Sequence, residues 1–273
     1  LQLFTNGSLA RNRLVHSYKS YNLRAMQILG IDIGGSGIKG AIVDTNTGMI
    51  ISDRHRIPTP KGRTPDDIAG VVRQIRDYFQ WNDNIGVAFP TVVLNGKAMY
   101  KSNLHEDWVG MQIDDLFSNQ CEENTFNILN DADAAGLAEM RFGAGRHHFG
   151  KVLMVTVGTG LGSALFYDGE LIPNFELGHL FHKNGKVIEQ WAADSARKRE
   201  ELSFEQWGKR LNKFLKHVER IITPDFIIIG GGVSKHIHKY RDQISIGTPY
   251  VVSEKQNNSG IIGAACFAAE HHK

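Results

Sequence analysis

The stretch Leu29-Gly30-Ile31-Asp32-Ile33-Gly34-Gly35-Ser36-Gly37-Ile38-Lys39-Gly40, followed at once by Ala41-Ile42-Val43, decides the fold. An apolar strand runs into an acidic residue, then a tight turn of glycine and serine, then a second apolar strand. The pattern predicts a β-hairpin whose turn points outward with almost no side-chain bulk. Such a turn offers backbone N–H groups and the Ser36 hydroxyl, the donors a phosphate needs. Asp32 at the strand end is placed to hold a metal-bound water beside that phosphate. A glycine-rich hairpin is often only a turn, so the reading needs a second occurrence.

The second occurrence lies far downstream. Val152-Leu153-Met154-Val155 leads into Thr156-Val157-Gly158-Thr159-Gly160-Leu161-Gly162-Ser163 and then Ala164-Leu165-Phe166-Tyr167. Neither turn is a Walker loop, which needs Gly-Lys-Ser/Thr opening a helix, and neither is a dinucleotide fingerprint, because both lead into strands. Two such hairpins predict a duplicated α/β domain clasping one phosphate chain from both sides.

Composition bounds the rest. A chain of 273 residues, 41% hydrophobic, is long enough to bury more than one core. Mean hydropathy is −0.27, and no apolar run approaches the roughly 18 residues of a membrane span. Two well-separated cysteines, Cys121 and Cys266, give neither a disulfide framework nor a cysteine zinc site. A reducing cytoplasm is the expected setting. The net charge of +2 is unevenly spread. Residues 1–25 hold Arg11, Arg13, Lys19 and Arg24 without an acid, which leaves 27 basic against 29 acidic residues in the remainder. That balance does not describe a nucleic-acid binder. Met26 stands directly before the first core strand, so residues 1–25 are read either as upstream sequence or as an acid-free targeting segment. They are set aside from the fold.

Along the chain, residues 49–57 read as a third strand and residues 66–79 as a helix with Ile68, Val71, Val72, Ile75 and Phe79 on one face. A short strand ends at Pro90, and an Asn95-Gly96 turn makes a small hairpin. A strand over residues 126–129 precedes a helix from Asp131 towards Phe142. Phe204–Ile222 is the clearest helix, with a Ser203/Gln206 capping box and an apolar stripe through Trp207, Leu211, Phe214 and Val218. Residues 226–229 read as a buried strand, Val233 onward as a helix, and residues 260–269 as a final helix of small residues.

Three further clusters carry chemistry. Asn130-Asp131 stands where a strand meets a helix; it is either an ordinary cap or a general base, Asp131, with Asn130 positioning a substrate. Glu176-Leu177-Gly178-His179 places a carboxylate and an imidazole three residues apart, with His182 beyond and Glu189 further on. These are solvated loop residues or partners for the hydroxyls of a polyol. Gly230-Gly231-Gly232, at the end of a triple-isoleucine strand, is a third close-approach turn, a tight connection or a phosphate site.

Together these pieces resemble the ROK family of sugar kinases, repressors and open reading frames, within the actin-like ATPase superfamily. The carrying motifs run in family order from residue 26 to the C-terminus: Gly30-Ile31-Asp32-Ile33-Gly34-Gly35-Ser36-Gly37-Ile38-Lys39, Leu129-Asn130-Asp131-Ala132, Gly158-Thr159-Gly160-Leu161-Gly162, Glu176-Leu177-Gly178-His179 and Ile229-Gly230-Gly231-Gly232-Val233-Ser234. The resemblance implies the duplicated actin-like (ribonuclease H-like) α/β fold. Its two domains, residues 26–130 and 131–273, would face a central cleft, with the last helix packing back on the first domain. It implies Asp131 as the base that takes the proton of a sugar 6-hydroxyl. Asn130, Glu176, His179, Glu189 and Asn103 would bind the other hydroxyls. Donor phosphates would lie on Gly34, Gly35, Ser36, Gly37 and Lys39, on Thr156, Gly158, Thr159, Gly160 and Gly162, and on Gly230, Gly231 and Gly232. Asp32 would help place magnesium.

Many family members carry a cysteine-rich zinc motif after the histidine. Residues 180–188 contain no cysteine, so no structural zinc is expected and packing must support the loop. That short interval, with Arg56-Ile57-Pro58-Thr59-Pro60, the run of residues 197–207 and Ser234-Lys235, resembles the branch that phosphorylates glucose from inorganic polyphosphate, often with ATP as an alternative donor. Mannose is a further candidate substrate, and a homodimer is the family expectation. The rival reading is a strictly ATP-dependent hexokinase. A sugar-responsive regulator is remote, because such repressors carry a helix-turn-helix ahead of the body. A polyanionic donor needs a local basic track. The candidates are Lys39, Arg141, Arg146, Lys151 and Lys235 near the turns, or the row Lys209, Lys213, Lys216 and Arg220.

Overall fold

The computed structural model describes residues 26–122 and 124–271, so the expectation for residues 1–25 lies outside the described residues. Strands β1 (Gln27–Ile33) and β2 (Ile38–Asp44) pair antiparallel through seven residues, as the first hairpin requires. Residues 49–57 form two short strands, β3 (Met49–Ile50) and β4 (His55–Ile57), rather than one. Both pair with β2. Between them the Ser52 hydroxyl accepts the Ile42 N–H at 2.9 Å, which interrupts the ladder. Strand β5 (Ile85–Phe89) lies parallel to β1; β6 (Val93–Leu94) and β7 (Lys97–Ala98) form the small hairpin; β8 (Phe126–Asn130) lies parallel to β5.

The second half repeats this topology. Strands β9 (Lys151–Val157) and β10 (Leu161–Tyr167) are the second hairpin, β11 (Glu170–Ile172) extends it, and β12 (Phe226–Gly230) and β13 (Tyr250–Val252) continue in parallel. The orders β3-β2-β1-β5-β8 and β11-β10-β9-β12-β13 match position for position. The duplication read from two glycine turns is therefore present in the sheets.

Helices cover the outer faces. Helix α1 (Pro65–Phe79), capped by a Thr64/Asp67 box, and α2 (Ile113–Gln120) seal the first sheet with Ile68, Val72, Ile75 and Phe117. Between the sheets lie α3 (Asp131–Phe142) on the second sheet and, on the first, the C-terminal helix named below. After two short helices, α4 (Glu189–Ala192) and α5 (Asp194–Arg199), comes α6 (Phe204–Ile222), whose capping box is formed. It buries Trp207, Leu211, Phe214, Leu215 and Val218 against the second sheet, each contributing on the order of 2 kcal/mol. Residues from Val233 onward do not form an α-helix. A kinked 3-10 segment, Ser234–Lys239, takes its place and delivers Tyr240 edge-on to Trp207, 4.9 Å between ring centres.

Helix α7 (Ser259–Glu270) packs on β1 and β5 and against α3. Its small residues explain why it fits. A side chain at Gly86 would strike the Ala264 carbonyl, and one at Gly263 would strike the Ala134 carbonyl. Backbone touches backbone on both sides of α7, which couples α3 to the first sheet without intervening side chains. Among the described residues no helix is long and apolar enough to cross a membrane.

Candidate active site

Asn130 ends β8 and caps α3. Its Oδ1 accepts the N–H groups of Ala132 (2.8 Å) and Asp133 (3.2 Å), so the capping reading of this motif is correct for Asn130. Its Nδ2 is left to reach across, donating to the Thr91 carbonyl (3.1 Å) and to Glu176 Oε1 (3.0 Å). One residue thus caps a helix and joins two parts of the candidate site.

Asp131 follows at the first helical position. Asp131 is exposed on one side, yet the protein around its carboxyl desolvates it. A carboxylate that water reaches from one side only is both accessible and poorly solvated. Its pKa is pushed up to about 7, first by desolvation and then by the charges of Asp32 and Glu176, against the opposing pull of the helix N–H groups. Glu176 is likewise raised to about 7 by burial and by Glu189. Asp32, Asp131, Glu176 and Glu189 therefore form a row of carboxylates, each sensing the next. Two carboxylates with raised proton affinities, Asp131 and Glu176, inside such a group are a setting for acid–base work.

The glycine turns flank this row. In the first, the Gly34 N–H closes on the Gly37 carbonyl at 3.2 Å. Thr59 Oγ1 donates to the Gly34 carbonyl (2.6 Å) and Arg56 Nη2 to that of Ser36 (2.6 Å); Gly35 and Ser36 are exposed. Lys39 Nζ pairs with Asp32 at 2.8 Å. In the second turn, the Gly158 N–H closes on the Gly160 carbonyl (3.0 Å), and Ser195 Oγ donates to the Thr159 carbonyl (2.5 Å). Glu189 Oε2 accepts the Leu161 N–H at 3.3 Å and sits against Gly160. A side chain at Gly162 would meet Thr156 and Ala132, so this hairpin packs directly on the start of α3. The third turn joins the second. Gly231 has φ of 80° and no room for a Cβ against the Val157 backbone, while Gly232 is open to solvent.

Two predicted residues stand apart. His179 is exposed, and its side chain makes no hydrogen bond among the described residues. Asn103 is exposed beside the first turn, its Cβ 4.0 Å from where a Gly35 side chain would begin, and is not hydrogen-bonded to the carboxylate row.

The basic residues are redistributed relative to the sequence reading. Lys39 is engaged by Asp32, Arg141 by Glu270, and Lys151 by the end of α6 through the Ile222 carbonyl (2.9 Å) and Thr223 Oγ1 (2.5 Å). Lys209 pairs with Glu205 at 2.9 Å, and Lys213 lies over Trp191. Lys235 instead joins a cluster that sequence reasoning missed, with Arg197, Lys198, His236, His238 and Lys239. Arg197 and Lys239 both lie over the Phe204 ring, 4.3 and 5.2 Å from its centre. Desolvation, then Lys239, Lys235, His238 and Arg197, depress the His236 pKa. Asp194 offsets part of this charge, pairing with Arg197 and Lys198. Its backbone N–H also donates to the Gly158 carbonyl at 3.0 Å, which fixes the cluster beside the second turn.

Residues 180–188 close as a tight hairpin through His182 N–H to Lys186 carbonyl (2.7 Å) and Ile188 N–H to Leu180 carbonyl (2.8 Å). His182 stacks on Trp191 at 4.4 Å, and Arg210 lies over the same ring. The indole of Trp207 donates to the Ala192 carbonyl at 2.9 Å, pinning α4 and with it Glu189. Aromatic stacking and backbone bonds hold this loop.

Paired sheets, each presenting a glycine turn to one carboxylate row, define the class: a phosphotransferase on the duplicated actin-like fold. The ROK family model matches residues 28–187, and the chain belongs to the ROK family. It is 42% identical over 236 residues to a polyphosphate glucokinase of Mycobacterium tuberculosis, covering 86% of this chain and 89% of that one. The solved inorganic polyphosphate/ATP-glucomannokinase of Arthrobacter sp. strain KM superposes with a TM-score of 0.86 at 39% identity, over 90% of this chain and 99% of that one. A ROK family glucokinase from Streptomyces griseus, solved with glucose and AMPPNP, shares the fold at 20% identity (TM-score 0.76, 90% of this chain and 100% of that one).

Proposed function

We propose that this protein transfers the terminal phosphoryl group of inorganic polyphosphate, with ATP as an alternative donor, to the 6-hydroxyl of glucose. The observation that carries this reading is Asp131, a poorly solvated carboxylate at a helix start, between two glycine turns and next to Asn130 and Glu176. Asp131 accepts the 6-hydroxyl proton as that oxygen attacks the terminal phosphorus. The bond to the bridging oxygen breaks, and polyphosphate leaves one unit shorter, or ATP leaves as ADP. Glu176, Asn130 and Glu189 orient the sugar, with His179 and Asn103 reaching it as the cleft closes. Residues 26–130 and 131–273 are taken as the two closing domains.

The turns at residues 34–37 and 158–162 supply N–H donors to the donor phosphates, and Gly232 at the third turn extends that surface. The cation cluster at Arg197, Lys198, Lys235 and Lys239 begins beside the second turn and gives a polyphosphate tail its basic track. Magnesium fits the residues present. It retains several waters and needs only one or two carboxylates besides substrate phosphates, and Asp32 supplies one at the mouth of the first turn. When bound, magnesium would offset phosphate charge, and Asp32 would exchange part of its bond to Lys39. Mannose is taken as a second sugar, and a homodimer as the assembled form.

The test is glucose 6-phosphate formation by the purified protein with magnesium and either long-chain polyphosphate or ATP. Turnover with polyphosphate is the expected result. Product from ATP alone would replace this reading with an ATP-dependent hexokinase, and no product from either donor would overturn it.

A further inference from the structure

Glu176 sits on a loop without regular structure, between β11 and the 3-10 turn Leu177–His179, yet it must hold its carboxylate against Asn130 within hydrogen-bond distance. Asn174 supplies a tether two residues upstream. Its Oδ1 accepts the Val93 N–H at 3.0 Å, and its Nδ2 donates to the Val93 carbonyl at 2.9 Å. The side-chain amide thus satisfies both backbone groups of one residue, as a neighbouring strand would. Val93 belongs to the β6–β7 hairpin of the first half, and Asn174 to the second half. The backbone N–H of Asn174 turns the other way and donates to Asp133 Oδ2 at 2.8 Å, on the first turn of α3. Asp133 is fully buried, and its other oxygen has no partner among the described residues, so the Asn174 N–H is its anchor. Asn174 reaches both partners because it adopts φ of 62°, a left-handed conformation that asparagine tolerates better than most residues. Just downstream, the Ser163 hydroxyl donates to the Phe175 carbonyl and accepts the Leu177 N–H at 2.9 Å, fixing the far side of Glu176.

We propose that Asn174 is a positioning residue for sugar binding, which sets Glu176 by tying its loop to Val93 across the cleft and to Asp133 on α3. The proposal rests on the reading of Glu176 as a sugar ligand. Asn174 touches no reacting atom; it acts through the carboxylate it positions. If glucose meets Glu176 equally in the ground and transition states, loss of the tether raises KM and spares kcat.

The test compares Asn174→Gly, Glu176→Gln and the double variant in steady-state assays varying glucose at saturating donor. Glycine keeps the positive φ and removes only the amide, whereas alanine would add backbone strain. Asn174→Gly is expected to raise KM for glucose about tenfold with kcat within about twofold. The double variant is expected to match Glu176→Gln, because both changes act through one carboxylate. Unchanged KM in Asn174→Gly beside raised KM in Glu176→Gln overturns the proposal and leaves the sugar site standing. Additive effects, or a fall in kcat alone, also overturn it. Unchanged KM in Glu176→Gln overturns the sugar-site reading and this proposal with it. Should Asn174→Gly fail to fold by circular dichroism, Asn174→Asp, which keeps the acceptor for the Val93 N–H but sets a carboxylate oxygen against the Val93 carbonyl, is expected to raise KM at least as much, with the same non-additivity. No rise in KM would overturn the proposal.

Discussion

The two glycine turns occupy equivalent places in equivalent sheets, yet their surroundings differ. The first is clamped by side chains from its own sheet margin, Arg56 and Thr59, and its acid, Asp32, is neutralised by Lys39 two residues past the turn. The second is clamped by α5, carries no acid of its own, and leans on Glu189 from α4. A basic cluster grows beside the second turn, whereas the cations at the first, Arg56 and Lys39, are engaged by the Ser36 carbonyl and Asp32. Duplication set the backbone positions; segments with no counterpart in the other half set the chemistry. On this account the first turn serves donor phosphate and metal, and the second is shared between donor and sugar.

The largest test of that division lies between the turns. Asp131→Asn removes the shared base, and kcat should fall about 10²- to 10⁴-fold while calorimetric glucose affinity stays near wild type. Retained turnover would remove Asp131 from the mechanism and leave the turns without a common centre. Next come matched substitutions of the turns themselves. A Cβ at Gly160 would crowd the Glu189 carboxylate, and one at Gly37 would crowd only the flexible Arg56 guanidinium. Gly160→Ala should therefore raise KM for glucose about tenfold, and Gly37→Ala should raise KM for donor by a few-fold. Equal effects on both substrates would erase the distinction between the turns.

A finer contrast separates the donors. Arg197→Ala with Lys239→Ala should raise KM for long polyphosphate several-fold and weaken its salt dependence, with ATP affected less, because a long anion contacts more of the track. Equal loss for both donors in initial-rate assays would place the tail elsewhere. The last contrast is in stability. Asp131, Asp133 and Glu176 titrate near 7 in the folded protein and near 4 when unfolded. The folded state binds these protons more tightly, so their contribution to stability falls as pH rises from about 4 to 7 and is level above that. Thermal melts from pH 5 to 8 should show a decline that Asp131→Asn reduces.

Much of this was legible in the sequence because the signals are local. A strand–glycine–strand hairpin, a capping box at Ser203 and Gln206, and Asn130 at a helix start are each written within a few residues. What escaped depends on distant partners. Lys39, Arg141 and Lys151 look free in sequence, but Glu270 and Thr223 engage two of them from far along the chain. The true cluster draws on residues 197–198 and 235–239, brought together by the packing of Arg197, His236 and Lys239 on Phe204. Asn174 carried one local sign, a Pro173-Asn174 turn signal, and nothing in it pointed to Val93. The expected helix after Val233 failed because Tyr240 must reach Trp207, a requirement of the core rather than of local propensity.

The pH dependence of kcat/KM for glucose tests the central claim most directly, since that claim is a desolvated carboxylate row poised between two phosphate turns. Activity should rise with pH through an apparent pKa near 7, a property of the coupled Asp131 and Glu176 carboxyls rather than of one residue. An acidic limb near 4, the ordinary carboxylate range, would contradict it.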